Sequence, residues 1–161
     1  VAGEIGHNTI DVNGRHCTCG NYGCLEAYAS GPAIATRARE VLMREGTGSL
    51  MPNMVHGDLE RLTAQTVYDA AKAGDPVADE IVRDTARYLG AGVANLLNIF
   101  NPDVVVVAGG VTLAGERLFT PLGAEVRRRA FAPAVAAVKI VAGELPGTAG
   151  VVGAVRTFLD S

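Results

Sequence analysis

All three cysteines of this 161-residue chain, Cys17, Cys19 and Cys24, fall within one stretch of eight residues, and His7 stands ten residues ahead of the first. So dense a thiol cluster limits what the first part of the chain can fold into. Three thiols cannot all pair off, and three thiolates with one imidazole make a Cys3His donor set that suits a tetrahedral Zn2+. Gly20 and Gly23 give the backbone the freedom to aim short side chains at one centre. His16 competes with His7 for the fourth position. Its neighbour Cys17 would point the opposite way from it in an extended chain, which favours His7, but spacing alone leaves the two nearly even. The alternative is that the thiols are small buried hydrophobes and His7 a satisfied loop histidine. A closed four-ligand site leaves no position for water, so the zinc is predicted to be structural and to pin a loop.

Two carboxylates flank that loop, Glu4 three residues before His7 and Glu26 two after Cys24. Ionised carboxylates only accept hydrogen bonds, so a pair held in a polar loop suits a ligand rich in hydroxyl donors, such as a sugar. Solvated surface acids would give the same pattern.

Beyond residue 23 the chain becomes periodic. Leu25, Tyr28, Ile34, Ala38, Val41 and Leu42 recur at helical spacing, with Ser30-Gly31-Pro32 as a stop and a new start, which predicts two helices up to Glu45. Gly46 to Leu62 is predicted to be a loop. Thr63 caps a helix through Val67, Ala70 and Ala71. Asp75 and Pro76 open a long helix to about Phe100, with proline in the first turn where it is tolerated. Asn101-Pro102-Asp103 ends it. Val104 to Ala108 is a β-branched run of the kind buried on both faces of a parallel sheet, and a helix from about Ala114 to Ala130, a strand over 138–141 and a helix from Thr148 to Leu159 complete a βαβα pattern. The predicted class is α/β. The long helix also offers Ile81, Tyr88, Leu89 and Leu96 as a self-association face, with core burial as the alternative.

Composition narrows the function. Apolar residues make up 48% and charged residues 19%, enough for a substantial core, and a net charge of −3 gives no overall footprint for nucleic acid. The basic run Arg127-Arg128-Arg129 is expected on a solvated helix face. Apolar stretches are far short of the roughly 20 residues of a membrane span, so a soluble, cytoplasmic protein without a membrane partner is expected. The chain opens on Val1 directly into motif-dense sequence, which predicts that a preceding portion of the protein is missing.

A second motif follows the valine run. Gly109-Gly110 at a strand's carboxyl end lets backbone approach a ligand at the edge where α/β sheets bind them. The sequence lacks the Lys-Ser/Thr of a P-loop and the third glycine of a dinucleotide fingerprint, so a plain strand-to-helix turn is the commoner meaning of such a pair.

Gly3-Glu4-Ile5-Gly6-His7 and Cys17-Thr18-Cys19-Gly20-Asn21-Tyr22-Gly23-Cys24-Leu25-Glu26, continued by Ala94-Asn95-Leu96 and Asn101-Pro102-Asp103, resemble the signature of the ROK family of bacterial sugar kinases and sugar-responsive repressors. The resemblance implies the C-terminal domain of an actin-like ATPase (ribonuclease H-like) fold. It divides the chain into a zinc and sugar-binding loop (1–26), a helical region (27–100) and a βαβα nucleotide-side region (101–161). It implies that His7, Cys17, Cys19 and Cys24 ligate zinc and that Glu4, His7 and Glu26 contact sugar hydroxyls. His7 would then turn one ring nitrogen to the zinc and the other to the sugar. Gly109 and Gly110 correspond to ATP contacts. By the same resemblance the whole protein is a glucokinase-like enzyme that moves the ATP γ-phosphate, with Mg2+, to a hexose such as glucose, and it forms a homodimer. The alternative is the effector domain of a sugar-responsive repressor, which would add nucleic acid as a partner. The family's phosphate-binding loop and catalytic Asn-Asp pair belong to the portion before Val1, so no acid of this chain takes the catalytic role and the 161 residues alone are expected to be inactive.

Overall fold

The computed structural model describes residues 3–45, 48–145 and 148–159. Residues 3–25 form an irregular ribbon, and the helices begin with α1 (Glu26–Ala29) and α2 (Gly31–Glu45). Ser30 separates these two: its Oγ accepts from the Ala33 N–H at 3.3 Å, an N-cap for α2. Helix α4 (Ala64–Lys72) opens on a reciprocal capping box between Thr63 and Thr66. In α5 (Pro76–Phe100), Asp75 Oδ1 accepts from the Val77 and Ala78 N–H groups. This helix stops at Asn101, whose left-handed φ of 45° turns the chain into Pro102.

The stretch read as a loop over 46–62 is more ordered than its lack of periodicity implies; Gly46 and Thr47 lie outside the described residues. It contains α3 (Met51–Met54) and a 3-10 turn over Leu59–Arg61, each too short to show a helical repeat. Asp75 accounts for part of this order. Its Oδ2 accepts from Ser49 Oγ at 2.6 Å and the Leu50 N–H at 2.7 Å, so the carboxylate that caps α5 also pins the approach to α3. Met51, Val55 and Leu62 are buried there.

Strand β1 (Val104–Val107) leads through a 3-10 turn (Gly110–Ala114) to α6 (Glu116–Arg129), α7 (Ala132–Ala137), β2 (Lys139–Ala142) and α8 (Ala149–Leu159). The α/β reading holds, with α7 as an element the sequence reading did not separate. β1 and β2 pair in parallel, Val104 opposite Lys139 and Val107 opposite Ala142, as the helical crossover between them requires. The expectation that β1 is buried on both faces is corrected. Val105 and Ile140 pack on the core, but Val104 and Val106 are 49% and 59% exposed. With only two strands in the described sheet, one face packs on the core and the other is open.

The core lies between α4, α5 and α6, around Val67, Tyr68, Val82, Leu97, Leu118 and Leu122, all fully buried. Three of the four residues proposed as a self-association face on α5 serve the molecule's own interior: Ile81 is buried, Leu89 packs against the same core and Tyr88 stacks on Tyr28, while Leu96 is half-buried outside that cluster. The helix is long because it spans the molecule's own core. No helix among the described residues is long and apolar enough to cross a membrane.

The basic run at the end of α6 is exposed but not unpaired. Arg128 and Arg129 both bond the buried Glu125 carboxylate. The Arg128 guanidinium, then Arg129, hold Glu125 down at about 2 against the opposing effect of burial. For Asp75, burial acts upward, but Ser49 Oγ and the Ala78, Leu50 and Val77 N–H donors outweigh it and keep the carboxyl below its ordinary value. A carboxylate depressed in the folded state contributes stability that is complete above its unfolded pKa and is lost as pH falls toward the folded one. Stability should therefore fall between about pH 4.5 and 2. In acid titrations followed by circular dichroism, Glu125→Gln should flatten that fall; an unchanged slope would show that Glu125 does not contribute.

Candidate functional site

Between Asn8 and Leu25 the chain folds into a hairpin-like ribbon. Ile10 N–H donates to Gly23 O at 2.8 Å, Gly23 N–H to Arg15 O at 2.7 Å and Cys17 N–H to Asn21 O at 2.8 Å. Gly23 is where the two sides come closest. A Cβ there would lie 1.6 Å from the Asp11 carbonyl oxygen, and its φ is +69°, so no other residue fits. The ribbon turns Cys17, Cys19 and Cys24 inward to meet His7, which ends a 3-10 turn over Ile5–His7.

The four ligand atoms lie within 4.8 Å of one another. Cys19 Sγ is 3.7 Å from Cys24 Sγ, and Cys17 Sγ is 3.7 Å from His7 Nδ1. A four-coordinate cation with metal–sulfur bonds of about 2.3 Å needs tetrahedral edges of about 3.8 Å, which these two edges match, so the four residues could hold a metal ion. Electrostatics agree. The Cys19 N–H, aided by the Cys19 thiol and His7, draws Cys17 down to about 7, a thiol ready to ligate. Burial first, and the hydrogen bonds and charges of the neighbouring thiols second, push Cys24 up to about 12. A divalent cation bound here would favour the thiolate against that burial.

His16, the competing ligand, is outside the cluster. It forms an antiparallel bridge with Tyr22, and the two rings meet edge to face at 5.1 Å.

With His7 Nδ1 toward the cysteines, Nε2 points the other way, 3.9 Å from Glu26 Oε2. Glu4 is close enough to be felt as well: the Cys17 sulfur, then Glu26 and Glu4, raise the imidazole pKa above its ordinary value against the effect of burial. Gly6 lies against the Glu26 carboxylate. The structure thus sets Glu26 on the side of His7 that faces away from the cysteines.

Gly109 and Gly110 share a cleft with Glu26. This space of about 330 Å3 is lined by Gly6 and Glu26 at one end and by Val107, Gly109 and Gly110 at the other, with Leu89 of α5 beside them. Gly109 has φ +94° and ψ 179°, a conformation open to glycine alone. A Cβ on Gly109 or Gly110 would meet no atom within 4 Å. The turn is therefore open on the side where a ligand would lie. Chain order gives no hint that this edge meets Glu26; α5 brings them together by crossing the molecule.

One group of residues escaped the sequence reading, which took Tyr28 only for an apolar position of a helix. Its hydroxyl accepts from the Arg15 N–H at 2.9 Å and donates to Asp11 Oδ2 at 3.0 Å. A tyrosine inside an apolar stripe is the available signal, since a buried phenol needs a partner.

The family model described as "ROK family" matches residues 1–161. The chain is 36% identical over 157 residues to a glucokinase of Thermotoga maritima, covering 96% of this chain and 48% of that protein. It is 36% identical over 159 residues to a putative xylose repressor of a Caldicellulosiruptor species, covering 99% of this chain and 39% of the other. A solved ROK family glucokinase from Streptomyces griseus, in complex with glucose and AMPPNP, superposes with a TM-score of 0.85 at 34% identity, over 98% of this chain and 51% of that one. The chain spans about half the length, or less, of these relatives.

Proposed function

We propose that this chain, which belongs to the ROK family, is the zinc- and sugar-binding part of a sugar kinase that transfers the ATP γ-phosphate to a hexose, glucose being the first candidate. The observation that carries this reading is the shared cleft. It sets a carboxylate, Glu26, and an open glycine edge, Gly109-Gly110, around one space. Phosphoryl transfer depends on holding acceptor and donor in line, and one cleft with a sugar end and a phosphate end meets that need.

In this reading His7, Cys17, Cys19 and Cys24 hold Zn2+, which supplies rigidity to the ribbon and no Lewis acidity, because four protein ligands close its sphere. Zinc on His7 Nδ1 leaves the proton on Nε2, facing Glu26 and the sugar. Glu4 and Glu26 accept hydrogen bonds from sugar hydroxyls. Gly109 and Gly110 let the nucleotide approach backbone, with Mg2+ bound to its phosphates. No acid of this chain is assigned as catalytic base. The open Val104 and Val106 face is the kind of surface that further strands or helices of a longer chain cover.

A second reading, the effector domain of a sugar-responsive repressor, is favoured by the equal similarity to a putative xylose repressor. It would keep the zinc and the sugar carboxylates but has no use for the glycine edge. A coupled assay with ATP, Mg2+ and glucose on the protein that contains this chain separates the two: turnover is expected, and sugar-dependent release of DNA without turnover would select the repressor. In calorimetry, Glu26→Gln and Glu4→Gln should each weaken glucose binding by about 1 to 3 kcal/mol, the range for a hydrogen bond to a charged group. Unchanged affinity in both would remove them from the site.

A further inference from the structure

The ribbon that carries the cysteines has no regular secondary structure of its own, yet its ligand atoms and Glu26 must keep a fixed relation. We infer that Tyr28 is the positioning residue that docks the Cys/His ribbon onto the helical body.

The geometry is specific. Tyr28 follows Glu26 by two residues and Cys24 by four, and it is 4% exposed. Its hydroxyl bonds both the Arg15 N–H and the Asp11 carboxylate, residues within the ribbon. The ribbon folds tightly over this hydroxyl, since a Cβ on Gly14 would come 2.0 Å from it. The ring is fixed in turn. It stacks on Tyr88 of α5 with centroids 4.2 Å apart, and Arg37 of α2 lies over the Tyr88 ring at 5.3 Å. Arg37 is itself buried and satisfied: Nη1 donates to Tyr28 O and to Thr85 Oγ1, both at 3.0 Å, and Nη2 is 3.7 Å from Asp84 Oδ2. Tyr28 is therefore fixed from behind by α2 and α5 and presents a single polar atom forward to the ribbon. A second polar tie from the ribbon, the Arg15–Glu40 ion pair, joins a half-buried side chain to an exposed one and contributes little.

The consequence for sugar binding rests on the proposed function; the docking does not. Tyr28→Phe keeps the ring and its stacking and removes only the hydroxyl. In the intact protein, hydrogen–deuterium exchange of ribbon amides over 8–24 should become about tenfold faster, while α5 amides keep their native rates; a hydrogen bond to a charged acceptor is worth that much or more. Asp11→Ala should reproduce the change, and Asp11→Asn, which still offers an acceptor oxygen, should stay near native. Release of bound zinc to a chelator should accelerate about tenfold in Tyr28→Phe. Native exchange over 8–24 overturns the inference, as does equal acceleration in α5 or unaccelerated zinc release. A protein that holds no zinc would count against the proposed metal site instead, and the exchange rates alone would decide the role of Tyr28.

Discussion

Cys24→Ser is expected to reduce zinc from one equivalent per chain to nearly none and to lower the melting temperature by more than any surface substitution. Cys24 is fully buried, and its Sγ is one end of a 3.7 Å tetrahedral edge. A serine hydroxyl is a poor zinc ligand and, left in a buried position with thiol neighbours, adds an unsatisfied polar group. Metal that binds only the folded state stabilises it by about 4 kcal/mol at a thousandfold excess over its dissociation constant, and nearly all of this disappears when the site fails. Cys19→Ser should behave alike, with less secondary damage because Cys19 is exposed. Addition of a chelator to the unsubstituted protein should reproduce the loss. Elemental analysis of purified protein with reduced thiols, showing well under one zinc per chain together with a chelator-insensitive melting temperature, would remove the metal from the account.

The same residues show what a linear reading captures and what it does not. The donor set was legible because soft ligands crowded into one short segment have few other uses, and the helix starts at Ser30, Thr63 and Asp75 were legible because a cap is a local event of two or three residues. The choice between His7 and His16 was not. It turns on which way a ribbon pleats, and the His16–Tyr22 bridge settles that only once the ribbon is closed. Burial of β1 was misjudged for a related reason. An all-valine run states that a strand suits a buried sheet, but how many neighbours cover it depends on chain elsewhere. The meeting of Glu26 with Gly109-Gly110 is a tertiary fact, carried by the length and direction of α5, and no spacing rule contains it.

A close approach along that helix supports the last expected result: Gly90→Val should destabilise the protein by about 3 kcal/mol, or roughly 10 °C in melting temperature. A glycine inside a helix normally costs about 1 kcal/mol relative to alanine, so filling it with a side chain ordinarily helps. At Gly90 the sign reverses. A Cβ there would lie 2.6 Å from Glu125 Cβ and 3.1 Å from the Leu122 carbonyl oxygen, both on α6. Leu122 is fully buried and Glu125 is held by two arginines, so neither can yield without moving the helix. Separation of α5 and α6 would also disturb the cleft, because Leu89 beside Gly90 lines it and Gly92 packs on Leu25, between Cys24 and Glu26. Gly123→Ala supplies the contrast within the same pair of helices. Its Cβ would meet only the end of the flexible Arg127 side chain, at 3.4 Å, so it should be neutral or raise stability by up to about 1 kcal/mol. Thermal unfolding of the two variants side by side decides the matter: a Gly90→Val protein that melts within about 2 °C of the parent would mean that α5 and α6 are not pressed together at this crossing.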